Sequence, residues 1–318
     1  MKYIITLFFI MALTWNSAQA QQVHQLSNYV LNPFAFNPAV VGHDAEHVVM
    51  KGIYRRQWAG GFDGAEPTTF TLSAHSNFTF KRTIGLGLML FNDKTGPTSQ
   101  TGAQVAYAYH IPLERTAEHF LALGVSANVI QYSLDFSKID VLDTNDPTIL
   151  MNTESQTSFD ANFGVFLHGP KYWVGISALQ LAQTKYQLGG NPLGSTDPLE
   201  LGLARHFYGM AGYEFKANNN IDVTPSVLVK YVENVPLHFE ANVRAMYKDQ
   251  YWAGVGYRAN DAINLMLGVQ FDNGLNIAYA YDIITSGVSS VSNGSHEVVI
   301  GYNYYWLKGP SKARVFED

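Results

Sequence analysis

The chain has 318 residues, a formal net charge of −6 and 14% charged residues, well below the roughly 25% of an average globular protein, while aromatics also reach 14% with 19 Tyr and 19 Phe. It contains no cysteine, which excludes disulfides, thiolate zinc sites and cysteine nucleophiles, and its scattered Lys and Arg form no footprint for nucleic acid. No stretch after the first fifteen residues carries the roughly 20 apolar residues of a spanning helix, so a membrane role requires a closed β-barrel, which leaves no backbone amide unpaired in lipid.

Met1 and Lys2 form a short basic start, 3–15 an apolar core, and Ala18-Gln19-Ala20 a small-residue cleavage site; together they read as a secretory signal peptide over 1–20. Residues 21–46 differ in kind. Asn32-Pro33 and Asn37-Pro38 break any strand ladder, because proline lacks the amide donor and restricts the residue before it. With Tyr29, Leu31, Phe34 and Phe36 between and around them, the segment needs an apolar surface to sit on. The expectation is a plug-like segment, marked by Asn32, Pro33, Phe36, Asn37 and Pro38, that packs into a barrel lumen or closes its periplasmic mouth.

From 47 to 306 the pattern has period two. In 237–247, Leu237, Phe239, Ala241, Val243, Ala245 and Tyr247 fall on one side and His238, Glu240, Asn242 and Arg244 on the other, which in a strand gives one apolar and one hydrated face. Strands are expected at 47–57, 68–80, 83–91, 98–111, 119–132, 158–168, 172–179, 205–215, 222–232, 237–247, 251–257, 263–271, 275–283 and 296–305. The fold class is therefore all-β, a transmembrane antiparallel β-barrel of about fourteen strands, the even number that bacterial single-chain barrels show. Ile84, Leu86, Leu88 and Leu90 form a lipid-facing row with Gly85 and Gly87 leaving room inside, and Val298, Ile300, Tyr302 and Tyr304 form another. His238, Glu240, Arg244, Asn264, Gln270 and Glu297 are expected to line the lumen. Residues 307–318 read as a C-terminal tail.

The connections support this reading independently. Outer-membrane barrels have short periplasmic turns and longer external loops, and with the mature N-terminus in the periplasm the odd-to-even connections are the external ones. The long stretches 135–157, 182–204 and 285–295 all fall there, whereas Lys81-Arg82, Gly169-Pro170-Lys171, Lys248-Asp249 and Asp272-Asn273-Gly274 join even to odd strands.

Catalysis finds little support. Ser73 and His75 share a strand face but have no identifiable third partner. His43 and His47 border a strand start and leave a zinc site short of ligands. Asp140, Asp143, Asn145 and Asp146 could offer oxygens to calcium but lack the full EF-hand pattern. The glycines at 85–87 and 254–256 lie in strands, with no following helix to hold phosphate. No cofactor is expected.

Five ordered blocks then become informative: 27–42 (SNYVLNPFAFNPAVVG), 55–75 (RRQWAGGFDGAEPTTFTLSAH), 85–113 (GLGLMLFNDKTGPTSQTGAQVAYAYHIPL), 279–283 (YAYDI) and 295–302 (SHEVVIGY). They resemble the PorP/SprF family of type IX secretion system membrane proteins across nearly all of the mature chain. The resemblance implies an outer-membrane barrel without enzymatic activity and with no catalytic residues to carry over. It also implies partners among the type IX secretion and gliding components, or the C-terminal sorting domain of a secreted adhesin that the barrel helps to export or retain. Two of the blocks cover 57–67 and 92–98, expected as the first two external connections. Arg55, Arg56, Gln57, Trp58, Asp93 and Lys94 are therefore expected to form a partner-binding rim. The alternative function is transport, through a porin-like pore or a plugged FadL-like barrel with a similar Asn-Pro-Ala at Asn37 to Ala39. A barrel lipase depending on Ser73 is the third and weakest reading.

Overall fold

The computed structural model describes residues 26–305 apart from 28, 45, 63, 80–81, 117, 139–152 and 189–198, with backbone only at 187–188 and 199–201. The period-two segments become strands β1 (His47–Arg56), β2 (Thr68–Asn77), β3 (Ile84–Thr95), β4 (Thr98–Pro112), β5 (Phe120–Asp135), β6 (Thr153–His168) and β7 (Tyr172–Leu179). A separate hairpin, β8 (Lys185–Leu188) and β9 (Leu199–Gly202), follows in the connection. Then come β10 (His206–Tyr213), β11 (Phe215–Asn218), β12 (Ile221–Val232), β13 (His238–Tyr247), β14 (Tyr251–Arg258), β15 (Ala262–Gln270), β16 (Leu275–Ile284) and β17 (Ser295–Tyr305). Every pairing is antiparallel. β10 and β11 make one stave interrupted at Glu214, both pairing with β12. β17 pairs with β1 from His47↔Tyr305 to Arg56↔His296, which closes the ring at fourteen staves.

All fourteen expected strands form, most with ends shifted by three residues or fewer. The larger departures share a cause. β3 runs on to Thr95 and β6 begins at Thr153. β5 and β6 have 16 residues each, roughly 50 Å at 3.3 Å per residue, whereas a membrane crossing takes 9–11. Their far ends stand in water, where both faces can be polar and alternation fades. Asp93 and Lys94, expected in a loop, therefore sit inside β3, opposite Thr69 and Thr68 of β2.

The long connections all gather at one end of the ring, and that end faces outward by the loop-length rule. Leu86, Leu88, Leu90, Val105, Tyr107, Val298, Ile300 and Tyr302 are exposed on the outer surface, where lipid replaces water. The alternate positions point inward, and most of them are buried.

They are buried by the chain's own start. Residues 26–43 run down the lumen from the long-loop end to the short-turn end before β1 begins, through three single-turn 3-10 helices: Tyr29–Leu31, Pro33–Ala35 and Pro38–Val40. Each Asn-Pro pair makes a turn. Proline presets the first helical position, and the Asn37 side chain accepts the Ala39 amide at 2.9 Å. Tyr29, Phe34, Phe36, Ala39, Val40 and Val41 are all buried. The wall is thinned to admit them: a Cβ on Gly124 would lie 2.3 Å from the Ala39 backbone, and one on Gly85 would lie 1.9 Å from the Val41 carbonyl oxygen.

Candidate functional site

The upper lumen, toward the long loops, holds buried charge. Arg55 Nη2 bonds Asp282 Oδ2 at 2.9 Å, and its Nη1 lies 3.7 Å from Glu297 Oε2. Arg258 bonds Glu240 at 3.0 Å, Asp261 at 3.2 Å and Asp282 at 3.3 Å. Arg55, Arg258, Glu240, Asp282 and Glu297 are all under 5% exposed, so each charge depends on its partners for the solvation that water would supply. Into this network fits the top of the N-terminal segment. The Ser27 amide donates to Glu297 at 2.7 Å, its hydroxyl to Asp282 at 2.8 Å, and Asn264 donates to the Ser27 carbonyl at 3.1 Å.

Farther down, the segment meets strands on all sides. Tyr29 bonds Ser226 of β12 at 3.0 Å, Lys51 of β1 donates to the Leu31 carbonyl, and Asn37 donates to the carbonyls of Val165 (β6) and Ile176 (β7) at 3.0 and 3.2 Å. At the short-turn end His110 donates to the Val41 carbonyl at 2.8 Å, and Gly42 is held through its amide by His75 and through its carbonyl by Asn77. Asp44 then bonds His47 at 2.9 Å. Burial opposes ionisation of Asp44, but the His47 hydrogen bond and the nearby His43 and His47 charges outweigh it and hold the carboxyl at about 2.

At the outer rim, the first and last long loops knit together. Ala59 donates to the Gly294 carbonyl at 2.7 Å, Asn293 donates back to the Ala59 carbonyl at 2.9 Å, and the Trp58 amide donates to Ser295 at 3.1 Å. Trp58 has a left-handed φ of 54° and packs on Phe62. Glu66 gathers the first loop by accepting from Arg56 and the Gly60 amide, each at 2.9 Å. Its own backbone amide, then Arg56 and Gly60, hold its carboxyl below the ordinary range. A carboxyl depressed in the folded state stabilises above its unfolded value of roughly 4.3, and that contribution disappears as pH falls through the folded value. Amide-exchange protection at Ala59 and Gly60 should therefore drop on acidification, and Glu66→Gln should already show the drop at about pH 7. Equal protection in the variant and the native chain at that pH would count against Glu66 as the organiser.

The expected residues are distributed as follows. Asn32, Phe36, Asn37 and Pro38 are buried within the lumen, as are Glu240, Asn264 and Glu297. His238 and Arg244 are half-buried on the inner face, and Gln270 lies at the exposed short-turn end of β15. Arg55 departs from expectation: it is 1% exposed and points into the lumen, since it follows the inward register of Lys51 and Ile53. Arg56 and Lys94 are exposed, while Gln57, Trp58 and Asp93 are half-buried. Ser73 bonds Asn32 at 3.4 Å and His75 accepts from Gly42, so both are engaged by the N-terminal segment. Arg258, Asp261 and Asp282 were not anticipated. The signal for two of them is parity: Arg258 continues the inward register of Trp252 one residue past the expected strand 251–257, and Asp282 continues that of Ala280 within the expected strand 275–283. The expected signal peptide at 1–20, the tail at 307–318 and the acidic residues Asp140, Asp143, Asn145 and Asp146 lie outside the described residues.

Comparison with known proteins gives a consistent result. The model of the family described as "Type IX secretion system membrane protein PorP/SprF" matches residues 18–302. No curated protein matches the chain in sequence. Among solved structures, the chain is similar to the CymD monoaromatic hydrocarbon channel, with TM-score 0.51 and 12% identity over 89% of this chain and 93% of that one. It is also similar to the TodX deltaS2S3 mutant monoaromatic hydrocarbon channel, at TM-score 0.51 and 11% identity over 85% and 93%. A FadL homologue of Pseudomonas aeruginosa reaches TM-score 0.48 and 11% identity over 85% and 93%. Identities this low speak for the fold alone.

Proposed function

The chain belongs to the PorP/SprF family of type IX secretion system membrane proteins, an outer-membrane β-barrel, and from that premise we propose that it is a non-enzymatic binding and assembly protein. Its outer rim engages a secreted adhesin-like cargo through the C-terminal sorting domain, for export or retention at the surface, or engages the secretion and gliding machinery. The observation that carries this reading is the filled lumen. A segment hydrogen-bonded to strands all around the ring leaves the protein's free chemistry at its ends, not along a channel. In this reading 21–46 is a plug, 47–306 the barrel, and 1–20 a signal peptide removed on export, so the mature chain should begin at Gln21 by mass spectrometry.

The rim retains Arg56, Gln57, Trp58, Asp93 and Lys94 from the sequence reading. An aromatic anchor beside flexible charge is the usual composition of an energetic contact, and loops held in place this firmly are suited to binding. Replacing Trp58 and Lys94 by Ala together should lower recovery of co-purified partners from detergent-solubilised outer membrane by at least about tenfold. Unchanged recovery with an intact barrel would defeat the proposal.

A second reading is passage of apolar solutes. An apolar groove of about 470 Å³ lies on the outer, lipid-facing side of β6, β7, β10 and β12, lined by Phe163, Ile176, Phe207, Val229 and Tyr231, and offers such solutes a seat on the wall rather than a path through the lumen. The two channels it resembles in fold are described as carrying monoaromatic hydrocarbons. Uptake of a labelled aromatic hydrocarbon into vesicles holding the barrel would favour this reading over the first.

A further inference from the structure

We propose that the lower lumen contains a binding site for a small organic carboxylate with a compact apolar body, centred on Arg244. Three inward-facing arginines lie in the described wall, and two of them, Arg55 and Arg258, are bonded to carboxylates at 3.0 Å or less. Arg244 is the exception. Among the described residues no carboxylate lies within ion-pair distance of it, and its Nε is buried without a hydrogen-bond partner. The charged groups that act on it are Glu214, at the break between β10 and β11, and Lys51 across the lumen. Glu214 acts from beyond ion-pair distance, so the guanidinium fork is left open to a carboxylate from outside the chain.

The surroundings specify the rest of the ligand. Arg244 borders a cavity of about 280 Å³ whose other walls include Tyr29, Phe166, Trp173, Met210 and His168. Two indoles pack close against the barrel wall where glycines face them. A Cβ on Gly212 would lie 2.0 Å from Trp173, and one on Gly268 would lie 2.5 Å from Trp252, the ring over which the Arg244 guanidinium sits at 5.8 Å. A carboxylate matches the guanidinium fork in geometry and charge, and the aromatic walls receive its apolar part. The volume is just below that of ordinary small-molecule pockets, which suits a body the size of benzoate or hexanoate. His168, Gly169 and Tyr172 place the opening at the short-turn end, so the ligand enters from the side opposite the partner-binding rim.

The test is a tryptophan-fluorescence titration of the full barrel in nonionic-detergent micelles, since Trp173 lines the cavity and Trp252 underlies Arg244. Benzoate and hexanoate should give saturable changes, with benzamide and inorganic phosphate each binding at least about tenfold more weakly. Arg244→Gln should weaken benzoate by at least about tenfold and leave benzamide unaffected, and Arg244→Lys, which keeps charge but loses the fork, should fall between. Gly212→Val, which pushes Trp173 into the cavity, should weaken both ligands together. The proposal is overturned if benzoate binds the native barrel no more tightly than benzamide, a comparison that needs no variant. It is also overturned if folded Arg244→Gln binds benzoate as the native chain does.

Discussion

Removing residues 26–42 should turn the barrel from an insulator into a pore, raising single-channel conductance in planar bilayers by at least about tenfold. The ring itself does not depend on the segment. Its fourteen staves close through backbone hydrogen bonds between β1 and β17, and the outward apolar rows are held by lipid. The lumen, by contrast, is occupied along its length by Tyr29, Phe34, Phe36 and Val41. A gentler variant reaches the same point. Gly124→Val places a side chain where the Ala39 backbone passes, and the strand cannot give way because β4 and β6 hold it on both sides. The segment must then leave its seat, and the variant should conduct in bursts while retaining the folded barrel's gel migration. A truncated barrel that folds yet conducts no better than the full chain would show that the loops, not the N-terminal segment, seal the lumen.

The second large effect is expected at Arg258. Replacing it by Met leaves the buried Glu240 without a cation and Asp282 with Arg55 alone. Breaking a buried pair by removing one partner costs about 3–5 kcal/mol, which urea titration of the barrel in lipid vesicles can resolve. Replacing Arg258 and Glu240 together by apolar residues of similar volume should recover part of that loss, because no isolated charge of that pair remains. A single-variant loss under about 1 kcal/mol would mean that water reaches the cluster and the charges are solvated independently.

Period-two alternation carried the barrel itself, because lipid imposes one rule on every stave. The same rule explains where the reading stopped. Past the bilayer, at Asp93 and Lys94 of β3 and at the start of β6, neither face must be apolar, and the strands continue unmarked. The N-terminal aromatics and prolines signalled a segment needing cover, and Gly85 and Gly87 signalled space. That Val41 and Phe34 fill that space is a long-range match between chain positions more than forty residues apart. Arg55 departs from its expected rim position for a related reason. Next to Arg56 and Trp58 it resembles rim chemistry, and only its parity with Lys51 and Ile53 assigns it to the lumen. The acidic partners that make this placement tolerable, Asp282 and Glu297, lie more than two hundred residues away.

The path of residues 26–43 also constrains how the molecule can be assembled. These residues precede the first strand, yet they end up encircled by the last. A ring that joined its two ends early would offer only its mouths, and a kinked, proline-stiffened segment would have to be fed through one of them against a crowded wall. Biogenesis is simpler if the leader is already laid along the growing inner surface when β17 zips onto β1. Insertion then finishes at that seam, and the seam is the place where a misrouted leader would stall it.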